Sequence, residues 1–499
     1  MNYDLVIVGG GPAGLALAHY CISLKRLKIL IIERESQIGG CHRVNRVKFN
    51  DENLFTEHGP RIYSSAYLHF QDLLKDMGID FYDLFKPYYF QVLTGGAPTM
   101  LEVMTITEMS TLILHFVYLI FDEEYGKNTN METFMKMNKY SPQTISLIDR
   151  ICRLSDGGNM HNYSLNQFLQ TINQQSLYTI YQPTYETDKL LFKKWKRFLE
   201  DNNVDFMLDT AVVEFDENKE GNEIQSCVIV NRKDANKKQF KIQGKQFVVA
   251  TPPKSIVKVI QNTKIKDAFG QFEDFNQWVT ETDYITYVSV VFHWDTRLKL
   301  NDTYGFPKSD WGVSSIILSD YMKFEEKSSK TVISTAVTII DKKSRYNDKT
   351  ANECPNKLEF IEEVFKQLNE TYPGLPRPTA ALMTPNNYYN NEDKRWESYD
   401  TAYLSAYKTG YIPFKSDKYS NLFNVGTQNG KSTYKFTSME SAVSNSKSLS
   451  LELYPQLKRK SKILLTVRDI LFVLLLTILV IVFILYQRKR FTSKRNKVI

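Results

Sequence analysis

Tyr3-Asp4-Leu5-Val6-Ile7-Val8-Gly9-Gly10-Gly11-Pro12-Ala13-Gly14 decides how this chain is read. A short apolar, β-branched run meets a glycine turn with no polar loop between them, and Leu15 to Leu24 then carries apolar residues at helical spacing. Strand, turn and helix in that order leave the unpaired amides of the helix start pointing outward, where an anion is favoured. Gly9 permits the tight turn, Gly11 lets a pyrophosphate approach the backbone, and Gly14 lets helix pack on strand. Pro12 and Ala13 complete the first helical turn. A second apolar run, Lys28 to Ile32, ends in Glu33. That acid lies about 20 residues past the glycines, where it can accept hydrogen bonds from a ribose. No Arg immediately precedes it to hold a 2′-phosphate, so FAD or NAD is favoured over NADP.

Beyond the acid, Ile38-Gly39-Gly40-Cys41-His42-Arg43 places a glycine pair, and Thr56-Glu57-His58-Gly59-Pro60-Arg61 follows at a loop's distance. Phe206 to Val212, Phe247-Val248-Val249-Ala250-Thr251-Pro252-Pro253, Leu422 to Thr427 and Ser438 to Val443 continue the series. This ordered set resembles the flavin-containing amine oxidase superfamily, which also includes protoporphyrinogen oxidases, carotenoid-type desaturases and, more distantly, UDP-galactopyranose mutases. The resemblance implies an α/β fold: a Rossmann-like FAD-binding domain interleaved with an α+β substrate domain. It implies FAD bound through Gly9, Gly11, Pro12, Ala13, Gly14, Glu33, Gly40, Arg43, Gly59, Pro60, Arg61, Val212, Gly426, Met439 and Glu440. Val212 would contact the adenine end, and the helix opened by Met439 and Glu440 would aim its amino end at the flavin ring, where it stabilises negative charge. The strand before Pro252 must stop there, because proline cannot continue a central strand.

Three departures from the family pattern stand out. Cys41 takes the place of the pyrophosphate-binding Arg, leaving Arg43 or Arg61 to substitute. The stretch Tyr284-Ile285-Thr286-Tyr287-Val288 lacks the family's flavin-bridging Lys, and Ser438 stands where an aromatic-cage Tyr is found. With no Cys near that region, FAD is expected to be noncovalent. Arg61 and His58 are the candidates for contact with the reacting centre, Tyr63 being a further one. Tyr403, Tyr407, Tyr411 and Trp396 form an aromatic approach to the last FAD strand, of which one or two are expected in the pocket.

The parts are expected to alternate: FAD-binding in 1-75, 201-260 and 401-455; substrate domain in 76-200, mainly helical, and in 261-400, a sheet with a helix. Tyr284 to Trp294, Trp311 to Leu318 and Thr331 to Ile340 read as strands of that sheet, and Glu359 to Thr371 as an amphipathic helix stopped by Pro373-Gly374. Thr111 to Phe121 is apolar nearly all round, which suits a buried helix or a cavity wall. Loops at Glu217 to Asn222 and Lys342 to Pro355 read as surface insertions.

The chain has 499 residues, 42% hydrophobic and 24% charged, enough for two joined domains with sizeable cores. Its net charge of +7 comes from eleven Lys or Arg residues between Lys458 and Lys497, so nucleic acid is not an expected partner. Those residues (456-469 and 487-499) flank Ile470 to Tyr486, an uncharged apolar run of 470-486 that is long enough for one membrane-spanning helix. Such a tail anchor resembles those of outer mitochondrial membrane proteins, monoamine oxidases among them. The anchor leads to a catalytic body in the cytosol, on an outer mitochondrial, endoplasmic reticulum or viral membrane. Five scattered cysteines without C-x-x-C indicate neither a disulfide framework nor a metal site.

A single nucleotide fingerprint favours direct reduction of flavin by a small-molecule or lipophilic substrate and reoxidation by molecular oxygen or another acceptor. The expected chemistry is hydride removal from a C–N or C–C single bond. The alternatives are a non-redox flavoenzyme similar to UDP-galactopyranose mutase, or a flavoprotein whose catalytic equipment has decayed into a scaffold.

Overall fold

A computed structural model describes residues 2–88, 100, 102–282, 287–300, 309–399, 410–458 and 462–495. Tyr403, Tyr407, the segment Tyr284 to Thr286, Arg459, Lys460 and Lys497 lie outside them.

The apolar runs of the opening residues become adjacent parallel strands. Asn2–Val8 pairs with Ile29–Ile32 on one side, and Ile29–Ile32 pairs in turn with Val204–Met207. On the other side Asn2–Val8 pairs with the end of Gln239–Val249, which also receives Leu422–Asn424 in parallel. Five parallel strands drawn from distant parts of the chain thus form one layer. The first half of Gln239–Val249 continues past it into an antiparallel extension with Ile224–Asn231 and Thr210–Glu217. Such strands are buried on both faces, which is why they read as unbroken apolar runs. One face packs helices Pro12–Cys21, Leu68–Asp76, Lys193–Asp201 and Met439–Leu453. The other packs Pro253–Ile260 and Phe272–Glu281. Gln239–Val249 ends before Pro252 and the chain turns straight into Pro253–Ile260, as the proline pair requires.

Val288–Trp294, Thr331–Val337, Val313–Ile317 and Ala380–Met383 make a four-stranded antiparallel sheet, with Thr331–Val337 and Val288–Trp294 at its centre. Helix Lys357–Thr371, capped by the Asn356 side chain, covers it through Phe360, Val364 and Leu368. Helices Ile106–Phe121, Met131–Met137, Pro142–Asp156 and Leu165–Gln175 pack as a separate cluster around Phe134, Ile148, Tyr163 and Phe168.

Two expectations change. Ile106–Phe121 is neither buried all round nor a cavity wall: Leu112, Leu119 and Ile120 pack inward, while Ile113, Leu114, Val117 and Phe121 are exposed. Apolar composition alone carries no direction, and the neighbouring helices cover only one side. The segment Lys342 to Pro355 is no simple surface insertion, because Ala351 and Cys354 are fully buried and the Ser344 hydroxyl donates to Glu363 on the covering helix. The turn within 217–222 is exposed as expected.

His293, on the four-stranded sheet, ties that sheet to the hairpin formed by Asn45–Phe49 and Glu52–Thr56. Its Nε2 lies 3.0 Å from the Phe55 carbonyl and its Nδ1 3.0 Å from Ser329 Oγ. A carbonyl only accepts, so Nε2 carries the proton and Nδ1 accepts from the serine. Burial holds the imidazole down to about 4. The unfolded imidazole takes a proton below its ordinary value near 6.5 while the folded one does not, so stability present at neutral pH is lost as pH falls through this window. From pH 6.5 to 4.5, His293 should account for about 2–3 kcal/mol of lost stability. Denaturant midpoints of the parent and of His293→Gln over that range check it: the variant should show the shallower decline.

Candidate functional site

Where the parallel strands end, the first glycine turn meets the segments that follow Ile38, Thr56, Val249, Asn424 and Phe436. A cavity of about 930 Å³ opens between them. Gly9 has φ +116°, a left-handed conformation, and a Cβ there would lie 2.5 Å from the Ala250 carbonyl oxygen. A Cβ at Gly14 would lie 2.0 Å from the Gly9 carbonyl oxygen. The helix therefore sits as close to the strand as backbone allows, and its first turn borders the cavity through Gly11, Pro12 and Ala13. The cap residue Gly11 offers no side chain and the first turn carries no acid, so the amides there are left for a ligand.

Glu33, at the end of its strand, lines the same cavity. Its carboxylate accepts from the backbone of Gly10 at 2.7 Å and of Glu35 at 3.0 Å, which fixes the oxygens at the cavity edge. Burial pushes this carboxyl above its ordinary range, against those two amides and Arg43. Val212 borders the cavity from the antiparallel extension, Gly40 and Arg43 from the second glycine segment, and Gly426 and Met439 from the chain's last strand and helix.

His58, Gly59, Pro60 and Arg61 complete the wall on the side of the antiparallel sheet. The Nη2 of Arg61 is buried, with no hydrogen-bond partner among the described residues. Such an orphaned cationic donor facing a cavity fits an anionic or electron-rich ligand. Behind it lies Glu57, whose carboxyl burial pushes up to about 7 although Arg61 opposes the shift. Tyr63 does not line the cavity; it is fully buried and its hydroxyl lies 3.2 Å from Nδ1 of His42, which does. Burial, together with Arg61 and His58, holds His42 well below the ordinary imidazole range.

Two of the expected ligand-binding residues are placed elsewhere. Gly14 is a contact between helix and strand and does not line the cavity. The Glu440 carboxylate is turned away: it accepts from the backbones of His69 and Phe70 at 2.9 and 3.0 Å and lies 2.7 Å from His69 Nδ1. It caps the amino end of Leu68–Asp76, because two helix starts meet there and only one can face the cavity. Trp396 is fully buried under the antiparallel sheet, its Nε1 donating to the Cys354 carbonyl, and Tyr411 is exposed outside the cavity. Among the described residues the aromatic wall is Tyr67, Tyr88, Tyr178, Tyr287, Tyr399, Tyr434 and Phe436. Tyr434 and Phe436 precede the Ser438 cap at alternating positions, a local signal that was legible; Tyr67 and Tyr178 carried none.

The comparisons with known proteins agree with this architecture. Residues 7–77 match the model of an NAD(P)-binding Rossmann-like domain. No curated protein matches the sequence. Among solved structures, putrescine oxidase bound to putrescine is similar over 91% of this chain and all of its own, with a TM-score of 0.61 at 11% identity. Cyclohexylamine oxidase from Brevibacterium oxydans IH-35A is similar over 92% of this chain and all of its own, with a TM-score of 0.58 at 12% identity. An oxidoreductase from Methanosarcina mazei is similar over 90% of this chain and 99% of its own, with a TM-score of 0.58 at 11% identity. The chain has the fold of the flavin-containing amine oxidases.

The glycine geometry separates folding from binding. A Cβ at Gly11 would meet only the Gly40 Cα at 3.5 Å, an ordinary contact, so Gly11→Ala should change stability by no more than about 1 kcal/mol. By filling the approach to the helix amides it should weaken dinucleotide binding at least about tenfold, or 1.4 kcal/mol. Gly14→Ala should cost about 3 kcal/mol or more in stability, since backbone must move. Thermal melts paired with FAD titration of each variant check both outcomes.

Proposed function

We propose that the protein is an FAD-dependent oxidoreductase that removes hydride from a C–N or C–C single bond of a small or lipophilic substrate. The observation that carries this reading is the continuity of one cavity. It is bordered at once by the helix start and Glu33, suited to a pyrophosphate and a ribose, and by an aromatic wall with His58 and Arg61, suited to an organic substrate.

Bound FAD would supply the acceptor for the hydride, which carries both electrons removed from the substrate. The chain would supply position and a water-poor environment. The amides of Gly11 and Ala13 and the side chain of Arg43 would hold the pyrophosphate, in place of the family's Arg that Cys41 replaces. Glu33 would accept from the ribose hydroxyls. The amino end of Met439–Leu453, bordering the cavity through Ser438 and Met439, would favour negative charge on the ring. Arg61 would add its unpaired donor to the ring or to an anionic substrate group. Tyr287 is fixed by donating to the Arg153 carbonyl, so its ring forms a steady face of the cavity. Among the described residues the cysteine that borders the cavity is Cys41, in the second glycine segment and not beside Ser438, and the flavin is read as noncovalent.

The similar proteins named above are two amine oxidases and an oxidoreductase, which favours the redox reading over a mutase-like one. Val467–Arg488 is 22 residues long, with a mean hydropathy of 3.0 over its most apolar stretch, and is uncovered by the body. That length and exposure support a membrane span, with an aqueous body whose five free thiols suit a reducing compartment.

The full chain in detergent should show the visible bands of oxidised FAD. Anaerobic addition of primary amines, partly saturated isoprenoids or saturated lipids, and sugar nucleotides should bleach those bands with one of the first two classes. Bound flavin that none of them bleaches would overturn the oxidoreductase reading, and absence of flavin would overturn the cofactor.

A further inference from the structure

Helix Ile106–Phe121 presents an apolar face that is left exposed among the described residues. Ile106, Ile113, Leu114, Val117, Tyr118 and Phe121 are all exposed, Ile113 by 57% and Phe121 by 65%. Their spacing puts them on one side of the helix, with only Thr107 and Ser110 among them. The helix holds a single carboxylate and no Lys or Arg: Glu108, on the opposite side, is buried and closes the capping box with Thr105. By contrast the solvent side of Lys357–Thr371 carries Lys357, Glu359, Glu362 and Lys366. A soluble surface rarely keeps an uncharged apolar stripe along a whole helix of this length, and such a stripe marks an interaction site.

The neighbouring chain indicates what covers it. Arg468 sits at the start of the apolar helix read above as a membrane span. Its Nε donates to the carbonyls of Leu119 and Ile120, at 3.0 and 3.3 Å, which belong to the last, otherwise unpaired turn of Ile106–Phe121. Its Nη1 lies 3.7 Å from Glu123, and its backbone amide donates to Asn173 at 2.7 Å. The carboxyl end of the uncovered helix is thereby held where the chain passes into the span, two residues before Ile470. The apolar stripe runs up to the start of the span, where Arg468 closes its end.

We propose that the exposed face of Ile106–Phe121 lies in the surface layer of the same bilayer that Val467–Arg488 crosses, as a second membrane contact. The inference rests on the reading of Val467–Arg488 as a span. An uncharged apolar stripe at the foot of a span fits a lipid surface, with acyl chains taking the apolar residues. Its consequence is the placement of the cavity. Ser176 to Ile180 line the cavity, Leu177 among them is 43% exposed, and the Tyr178 hydroxyl donates to the Leu465 carbonyl at 2.9 Å, just before the span. With two contacts fixing the body, this rim faces the lipid, and a substrate dissolved in the bilayer reaches the cavity without crossing water.

The test uses the full chain in phosphatidylcholine vesicles. Tyr118→Trp, Leu114→Trp, Ile478→Trp and Leu358→Trp are compared with the parent, whose five native Trp set the background. Tyr118, Leu114 and Leu358 are exposed, so a larger ring is accommodated at each. Lipids spin-labelled near the headgroup should quench the added emission of Tyr118→Trp and Leu114→Trp at least about twofold, leave Leu358→Trp unaffected, and give way to deep-chain labels as the better quencher of Ile478→Trp. Quenching at 478 with none at 114 and 118 overturns the docking face while leaving the span intact. No quenching at 478 removes the span and this inference with it. Emission at 118 that is indifferent to lipid and becomes shielded from iodide as protein concentration rises assigns the face to a second copy, which overturns the proposal.

Discussion

The contact between Gly14 and the carbonyl of Gly9 sets the geometry on which the rest of the site depends. With a Cβ at position 14 only 2.0 Å from that oxygen, the helix Pro12–Cys21 could not reach its strand. Because it does, the amides of its first turn stand at the carboxyl ends of five parallel strands. That is where an open parallel sheet leaves a crevice. Glu33, Val212, Ala250 and Gly426 each reach the crevice because their strands are hydrogen-bonded, directly or through one or two neighbours, to Asn2–Val8. One close approach near the amino terminus thereby fixes the positions of groups hundreds of residues away.

Helix Met439–Leu453 shows a different economy. Beside the apolar Val443 and Leu449 it buries small polar side chains: Ser446 Oγ donates to the Ala13 carbonyl on Pro12–Cys21 at 2.8 Å, and Asn445 Nδ2 to the Gly426 carbonyl after the last strand at 2.6 Å. Small residues let the helix axes approach, and the buried hydroxyls of Ser441, Ser446 and Ser450 and the Asn445 amide donate to backbone carbonyls, so their burial is satisfied. The same helix spends its one acidic residue of the first turn, Glu440, on the start of Leu68–Asp76. Its own amino end, capped by Ser438, borders the cavity with no side-chain charge in the way.

The tail is joined to the body more firmly than a basic linker suggests. Leu464 is buried in the main core, Lys462 pairs with Asp72 at 3.1 Å, and Arg468 closes the end of Ile106–Phe121. The apolar span therefore leaves from a fixed point beside the cavity rim, and the orientation of the body relative to that span is a property of packing.

Much of this was written in the sequence. Buried parallel strands are apolar throughout, glycines mark where backbone must approach backbone, and prolines mark where a strand must stop; these are local constraints, so the order of the strands, the glycine turn, Glu33, Arg43, Val212 and the apolar tail were legible from residue types and spacing. Direction was not. Whether Glu440 faces a ligand or a second helix start, whether Trp396 is pocket or core, and which side of Ile106–Phe121 is covered depend on what arrives from elsewhere in the chain. A side chain's type states what it can bind, but its partner is chosen by packing among elements far apart in sequence, and only the folded structure brings those elements together.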